Sequence, residues 1–109
     1  MQLKLFVHTG AKGSAPVFKS REEVWLVTSE DMMFYPYEDD EYELDHEVYI
    51  PDGYDVSVVS FFCTLYIKMT YKDNVISKIS LRMYEWSPDM IFIRAGEPIV
   101  QIKLTSLSA

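Results

Sequence analysis

The residues of this chain best suited to chemistry lie in one segment. Glu38-Asp39-Asp40-Glu41 is continued at alternate positions by Glu43, Asp45 and Glu47, and Tyr35, Tyr37, Tyr42, Tyr49 and Tyr54 are interleaved with or flank these acids. Carboxylates at this density can hold a cation, accept paired hydrogen bonds from arginine, or simply solvate a strand. Calcium would draw on Asp39, Asp40 and Glu43, but their spacing is not that of an EF-hand loop. A basic protein surface suits the pattern better, because the acids steer encounter and tyrosines bury area while keeping a polar tip. A sharper form of the same idea is DNA mimicry, in which spaced carboxylates occupy the phosphate sites of a DNA-binding enzyme. The candidate partner-binding residues are Tyr35, Tyr37, Glu38, Asp39, Asp40, Glu41, Glu43, Asp45 and Glu47.

Other chemistries find little material. His8 and His46 are the only histidines, and His46 falls on an apolar strand face, where a hydrogen-bonded structural role is expected. Cys63 is the single cysteine, which excludes an internal disulfide or a cysteine zinc cluster, and its apolar neighbours predict a small core residue. No Gly-x-Ser-x-Gly elbow is present for a serine nucleophile. Gly10 and Gly13 flank Lys12, yet the spacing matches neither phosphate-binding fingerprint, so residues 9–16 are expected to be a surface loop. No cofactor, resident metal or catalytic residue is assigned.

Charge is distributed unevenly. The net value is −7, but residues 1–21 carry four basic side chains and no acid, whereas residues 22–67 carry thirteen acids and no lysine or arginine. The middle of the chain therefore opposes binding to a phosphate backbone. No apolar run is long enough to span a bilayer, and no secretory leader pattern is visible, so a cytoplasmic address is expected.

The elements that must position the acids are strands. At 109 residues with 49% hydrophobic content, one domain over residues 1–109 is expected. Gln2 to His8 alternates, with Leu3, Leu5 and Val7 on one face. Val24 to Val27 is a short β-prone run, and Ser29-Glu30-Asp31 is placed to cap a helical turn that Pro36 soon ends. From Tyr42 to Ile50 one long strand is predicted. It has Tyr42, Leu44, His46, Val48 and Ile50 inside and Glu41, Glu43, Asp45 and Glu47 outside.

After a Pro51-Asp52-Gly53 turn, Tyr54 to Phe62 reads as a strand buried on both faces. Leu65 to Tyr71 and Val75 to Tyr84 pair around a Lys72-Asp73-Asn74 corner, with Val75, Ser77, Ile79, Leu81 and Met83 sharing a face. Trp86 to Asp89 breaks the chain, and two short strands flank an Ala95-Gly96-Glu97-Pro98 corner. Short strands between regular turn signals predict an all-β sandwich or distorted jelly-roll, mainly antiparallel.

Two motifs then bring a family into view. Val48-Tyr49-Ile50-Pro51-Asp52-Gly53-Tyr54 resembles the dUTPase segment in which a strand enters an Ile-Pro-x-Gly-Tyr turn. Gly96-Glu97-Pro98-Ile99-Val100-Gln101 is similar to that family's Gly-Asp-Arg-Ile-Ala-Gln motif, and Arg82 to Ser87 is similar to the strand and polar turn before it. The resemblance covers roughly residues 44–104. It implies a dUTPase-like fold, commonly trimeric, and used in viruses as a binding or trimerising module.

The departures from that family bear on activity. There is no Ala-Gly-x-Asp-Leu motif. Ser60-Phe61-Phe62 stands where Arg-Ser-Gly is expected, Ser77 replaces the water-holding aspartate, and Pro98 replaces the motif arginine. The base-stacking tyrosine and the glycine-rich closing segment have no counterpart up to Ala109. Phosphoanhydride hydrolysis needs a positioned base and cationic clamps, and these cannot be assigned.

The expected function is thus a non-catalytic interaction module, phage-encoded and acting in host cytoplasm. It would bind a basic protein surface and neither nucleic acid nor membrane. A nucleotide-binding or nucleotide-hydrolysing dUTPase relative is one alternative, and a structural homo-oligomer, a trimer by analogy, is another.

Overall fold

The computed structural model describes residues 5–38, 40–86 and 88–107. Within them every regular element is a strand: β1 (Phe6–Thr9), β2 (Val17–Ser20), β3 (Glu23–Val27), β4 (Met32–Phe34), β5 (Glu41–Glu43), β6 (His46–Tyr49), β7 (Tyr54–Ser60), β8 (Leu65–Lys72), β9 (Val75–Met83), β10 (Ile91–Ile93) and β11 (Pro98–Ser106). All pairings are antiparallel. A five-stranded sheet holds β1, β6, β9, β5 and β8, a four-stranded sheet runs β2-β3-β11-β7, and β4 pairs β10. Among the described residues no helix is long and apolar enough to cross a membrane.

The core draws on all three sheets. Val48, Ile76, Ile79 and Leu81 meet Val24, Leu26, Ile102 and Leu104, with Met32, Phe34 and Ile93 joining from the smallest sheet. Most of these side chains are completely buried, each contributing about 1.5–3 kcal/mol of hydrophobic stabilisation. The result is the expected all-β sandwich.

Strand β9 is the spine of the larger sheet. Its one edge carries β8 throughout; its other edge carries β6 against Val75–Ile76 and β5 against Ser80–Arg82. The long strand predicted over Tyr42–Ile50 is therefore two strands laid end to end. Its inward set is as expected: Leu44, His46, Val48 and Ile50 are buried and Tyr42 half-buried.

The break between β5 and β6 at Leu44-Asp45 faces an irregularity in β9. Lys78 lies at φ +52°, and the β8–β9 register steps from Lys68↔Ser80 to Thr70↔Ser77. Two β9 residues thus oppose Met69, a bulge that reverses side-chain parity. Ile76 joins Ile79 and Leu81 inside, so the predicted face of Val75, Ser77, Ile79, Leu81 and Met83 is corrected.

Other expectations shift as well. Residues 29–30 form a bend and residues 29–31 no helical turn, because buried Met32 and Phe34 pair with Ile93 and Ile91 in a strand. Strand β2 was not foreshadowed; all four of its residues are exposed. Strand β7 alternates between half-buried and exposed positions, so it is not covered on both faces. Cys63 is exposed, contrary to its expected core position, because the turn between β7 and β8 puts it outside the sandwich. Of the predicted first strand, Gln2, Leu3 and Lys4 lie outside the described residues.

The β8–β9 corner is as anticipated. Asp73 and Asn74 both take positive φ, 53° and 62°, as a two-residue hairpin turn requires. Asn74 donates its side-chain amide to Asp52 at 2.7 Å, tying this hairpin to the Pro51-Asp52-Gly53 turn.

Candidate functional site: two grooves beside the acidic strand

Strand β5 sets the acids in register with cations. Glu41 faces Arg82 and Glu43 faces Ser80, while Ser80 in turn faces Lys68 on β8. Glu41 is engaged within this lattice: Ser80 Oγ donates to it at 2.6 Å and Lys68 Nζ lies 3.7 Å away. A half-exposed ion pair of this kind contributes at most about 1 kcal/mol, so its main effect is to hold Glu41 in place.

Asp45 is also structural. The backbone N–H of Lys12 donates to its carboxylate at 2.9 Å, and Gly10 N–H donates to its carbonyl at 2.8 Å. The loop at residues 10–16 is consequently docked on the β5–β6 break. A Cβ on Gly10 would overlap the Asp45 carboxyl group, and one on Gly13 would approach the Asp45 carbonyl to 2.7 Å. Both glycines are there for close packing, and residues 10–16 form the expected surface loop, docked by these contacts. His46 completes the junction: it is buried, and Nε2 lies 2.7 Å from the Ser14 carbonyl.

Four acids have no such task. Glu38, Asp40, Glu43 and Glu47 make no side-chain hydrogen bond or ion pair with the described residues. Three of them line two different grooves. Glu43 and Glu47, with Asp45, line an open groove of about 670 Å³ whose other walls include Lys12, Ser77 and Lys78. Glu38 and Tyr37 line a second groove, of about 550 Å³, with Tyr66, Arg82, Tyr84 and Glu85. Asp39 lies outside the described residues. Tyr35 is exposed with its hydroxyl near Met33 Sδ, and Tyr42 spends its hydroxyl on the Met33 carbonyl at 2.9 Å. Among the described residues no cluster of three or more histidine, cysteine or acidic side chains is arranged to hold a metal.

The second groove contains residues the sequence did not single out. Tyr66 and Tyr84 approach with ring centroids 4.8 Å apart, and Trp86 stacks on Tyr84 at 5.4 Å and 19°. Tyr84 and Trp86 stand two positions apart, and an alternation beyond β9 could have signalled their common side. Tyr66 joins them only through the β8–β9 register, which places it opposite Arg82.

The motif corner is organised for structure. Gly96 takes φ +88° and donates its N–H to the Thr28 carbonyl at 2.7 Å. Pro98 begins β11, where a missing N–H is tolerated, and pairs with Val27. Gln101 points to the outer face of the four-stranded sheet and donates to Glu23 at 3.0 Å; Trp25 Nε1 donates to the same carboxylate oxygen at 2.8 Å. These bonds, Gln101 first and Trp25 second, hold the Glu23 carboxyl below its ordinary range.

The arrangement of sheets defines a dUTPase-like fold. No family model matches the sequence, and no curated protein matches it. Among solved structures, the chain is similar to the dUTPase of Staphylococcus bacteriophage 80alpha. A tyrosine-to-isoleucine form of that enzyme aligns at TM-score 0.62 and 17% identity, over 96% of this chain and 91% of that one. A tyrosine-to-phenylalanine form with dUpNHpp gives the same score and identity over 96% and 83%, and the enzyme with dUPNHPP gives 0.58 and 18% over the same shares. Those phage dUTPases are described as controlling transfer of virulence genes by a proto-oncogenic G protein-like mechanism. At this identity the likeness is one of fold.

Proposed function

We propose that this protein is a non-catalytic interaction module on a dUTPase-like scaffold, phage-encoded and acting in host cytoplasm, which binds a basic protein surface. The observation that carries the reading is the set of uncommitted carboxylates: Glu38, Asp40, Glu43 and Glu47 have no partner among the described residues. Glu41 and Asp45, by contrast, are held by the fold. Charge left unpaired beside open grooves favours encounter with cationic groups and accepts arginine well. The phage origin is supported by the structural neighbours alone. The absence of catalysis is supported by the motif resemblance alone, which sets Ser77 and Pro98 where the water-holding aspartate and the motif arginine are expected.

The test compares two sets of neutralising substitutions. Glu38→Gln, Asp40→Asn, Glu43→Gln and Glu47→Gln form the first. Glu30→Gln, Asp55→Asn, Asp73→Asn and Glu97→Gln form a charge-matched control elsewhere on the chain. Capture of an oligo-arginine peptide is expected to collapse in the first set and persist in the second. Equal loss in both would reduce the effect to net charge and overturn the proposal.

A further inference from the structure

The Tyr66–Tyr84 pair is a wall shared by two grooves. On one side is the groove with Glu38, Glu85 and Tyr37; on the other, an open apolar one of about 380 Å³ with Val58, Val59, Phe62 and Ile67. Trp86 extends the ring array outward and is 64% exposed. Tyr66, Tyr84 and Trp86 lie outside the hydrophobic core and the residues packed against it. Exposed aromatic area bounded by Glu38, Glu85 and Arg82 on one flank, the acids outnumbering the cation, and by aliphatic side chains on the other has the composition of a binding surface.

Tyr37 gives an independent indication. Glu38 N–H donates to the Tyr35 carbonyl at 3.3 Å, closing a turn with Pro36 second and Tyr37 third. Tyr37 takes φ +64°, a conformation that such turns assign to glycine. A bulky residue there is strained, and its side chain is 90% exposed, so it gains no burial in return. The strained tyrosine stands on the groove that Tyr66 and Tyr84 also line.

We infer that this aromatic wall is the centre of the docking surface, and that it takes an extended segment of the basic partner. An arginine or lysine of that segment would lie against the ring faces beside Glu38 and Glu85, while an apolar residue two positions away would enter the opposite groove. Cations are attracted to ring faces, most strongly where water is excluded, and flanking carboxylates add to that attraction. Side chains two apart on an extended chain project to one side about 6.6 Å from each other, enough to straddle a ring pair. The inference rests on the basic-partner reading and gives that partner its chemistry.

The experiment is calorimetric titration with a short peptide alternating arginine, glycine and leucine, set against the same peptide with glutamate for arginine and against oligothymidylate. The wild-type chain is expected to bind the arginine peptide only. Tyr84→Leu with Trp86→Leu should weaken it about tenfold, with the unfolding midpoint unchanged. Tyr37→Gly should raise the unfolding midpoint yet also weaken binding, an opposition that a purely structural role would not produce. If the ring variants bind as the wild type while neutralising Glu38, Asp40, Glu43 and Glu47 abolishes binding, this inference fails and the broader reading stands. If the arginine peptide does not bind at all, both fail. Oligothymidylate binding that the ring variants abolish would reassign the wall to base stacking and overturn the inference.

Discussion

Gln101 on β11 donates its side-chain amide to Glu23 on β3 at 3.0 Å, and the same carboxylate oxygen receives Trp25 Nε1 at 2.8 Å. The glutamine that makes the Gly-acid-x-Ile-x-Gln spacing look like a nucleotide motif is thus a brace between neighbouring strands. Trp25 is itself wedged between the Phe61 ring, edge-on at 5.0 Å, and Lys19 Nζ, 4.4 Å from its ring centroid.

This brace predicts an acid-sensitive term in stability. The folded Glu23 carboxyl sits below its ordinary range, chiefly through the Gln101 hydrogen bond and then that of Trp25. The unfolded chain therefore takes up this proton at higher pH than the folded one. The contribution is complete above the ordinary glutamate value and is lost as pH falls through the depressed folded value. Glu23→Gln should flatten that part of the acid limb in urea unfolding followed against pH, and Gln101→Leu should shrink it. An acid limb unchanged in both variants would show that Glu23 is not coupled to folding.

The junction of Gly10, Gly13 and Asp45 predicts a ranked pair of defects. A Cβ on Gly13 meets the Asp45 carbonyl at 2.7 Å and Thr9 Cγ2 at 2.8 Å, and backbone gives way poorly. Gly13→Ala should cost about 2–3 kcal/mol, in the range of core overpacking. Gly10→Ala meets only a side-chain carboxyl and should cost about 1 kcal/mol. Adding Asp45→Ala should relieve the Gly10→Ala defect but not that of Gly13→Ala, a difference readable in a double-mutant cycle.

Lys78 predicts a gain. It holds φ +52° at the bulge that reverses the parity of β9, a conformation costing a side chain roughly 1 kcal/mol relative to glycine. Lys78→Gly should stabilise the fold by about 0.5–1 kcal/mol in denaturant melts, whereas Lys78→Val should destabilise it by more than that. A stabilising valine would exclude a left-handed residue at this position.

These same features mark where the sequence stops being informative. The inward set Tyr42, Leu44, His46, Val48 and Ile50 is legible, since burial of one face writes a period of two into the chain. The break at Leu44-Asp45 is not, because its cause is the facing bulge at Lys78, and a lysine carries no local sign of positive φ. Parity beyond a bulge cannot be counted through, so alternation alone sets Ile76 on the wrong face. Asp73-Asn74 was readable because those residues tolerate positive φ. The acids were visible, but their division into engaged Glu41 and Asp45 and free Glu43 and Glu47 depends on Ser80, Lys68 and the docked loop. The Tyr66–Tyr84–Trp86 array arises from cross-strand register, which no single segment encodes.

The last prediction concerns nucleotides. Ser77, which the motif resemblance sets at the water-holding position, lines the groove with Lys12 and Lys78 on one hand and Glu43, Asp45 and Glu47 on the other. If the groove took a nucleoside triphosphate, ligand at about a hundredfold over its Kd would add about 2.7 kcal/mol of stability. For a domain of this size that is a rise of roughly 10 °C in unfolding temperature or more. With dUTP or dCTP and Mg²⁺ the expected shift is none, and no pyrophosphate should be released over time. A specific shift for dUTP, lost in Lys12→Ala or Lys78→Ala, would replace the interaction reading with a nucleotide-binding one. Turnover would reinstate the catalytic alternative.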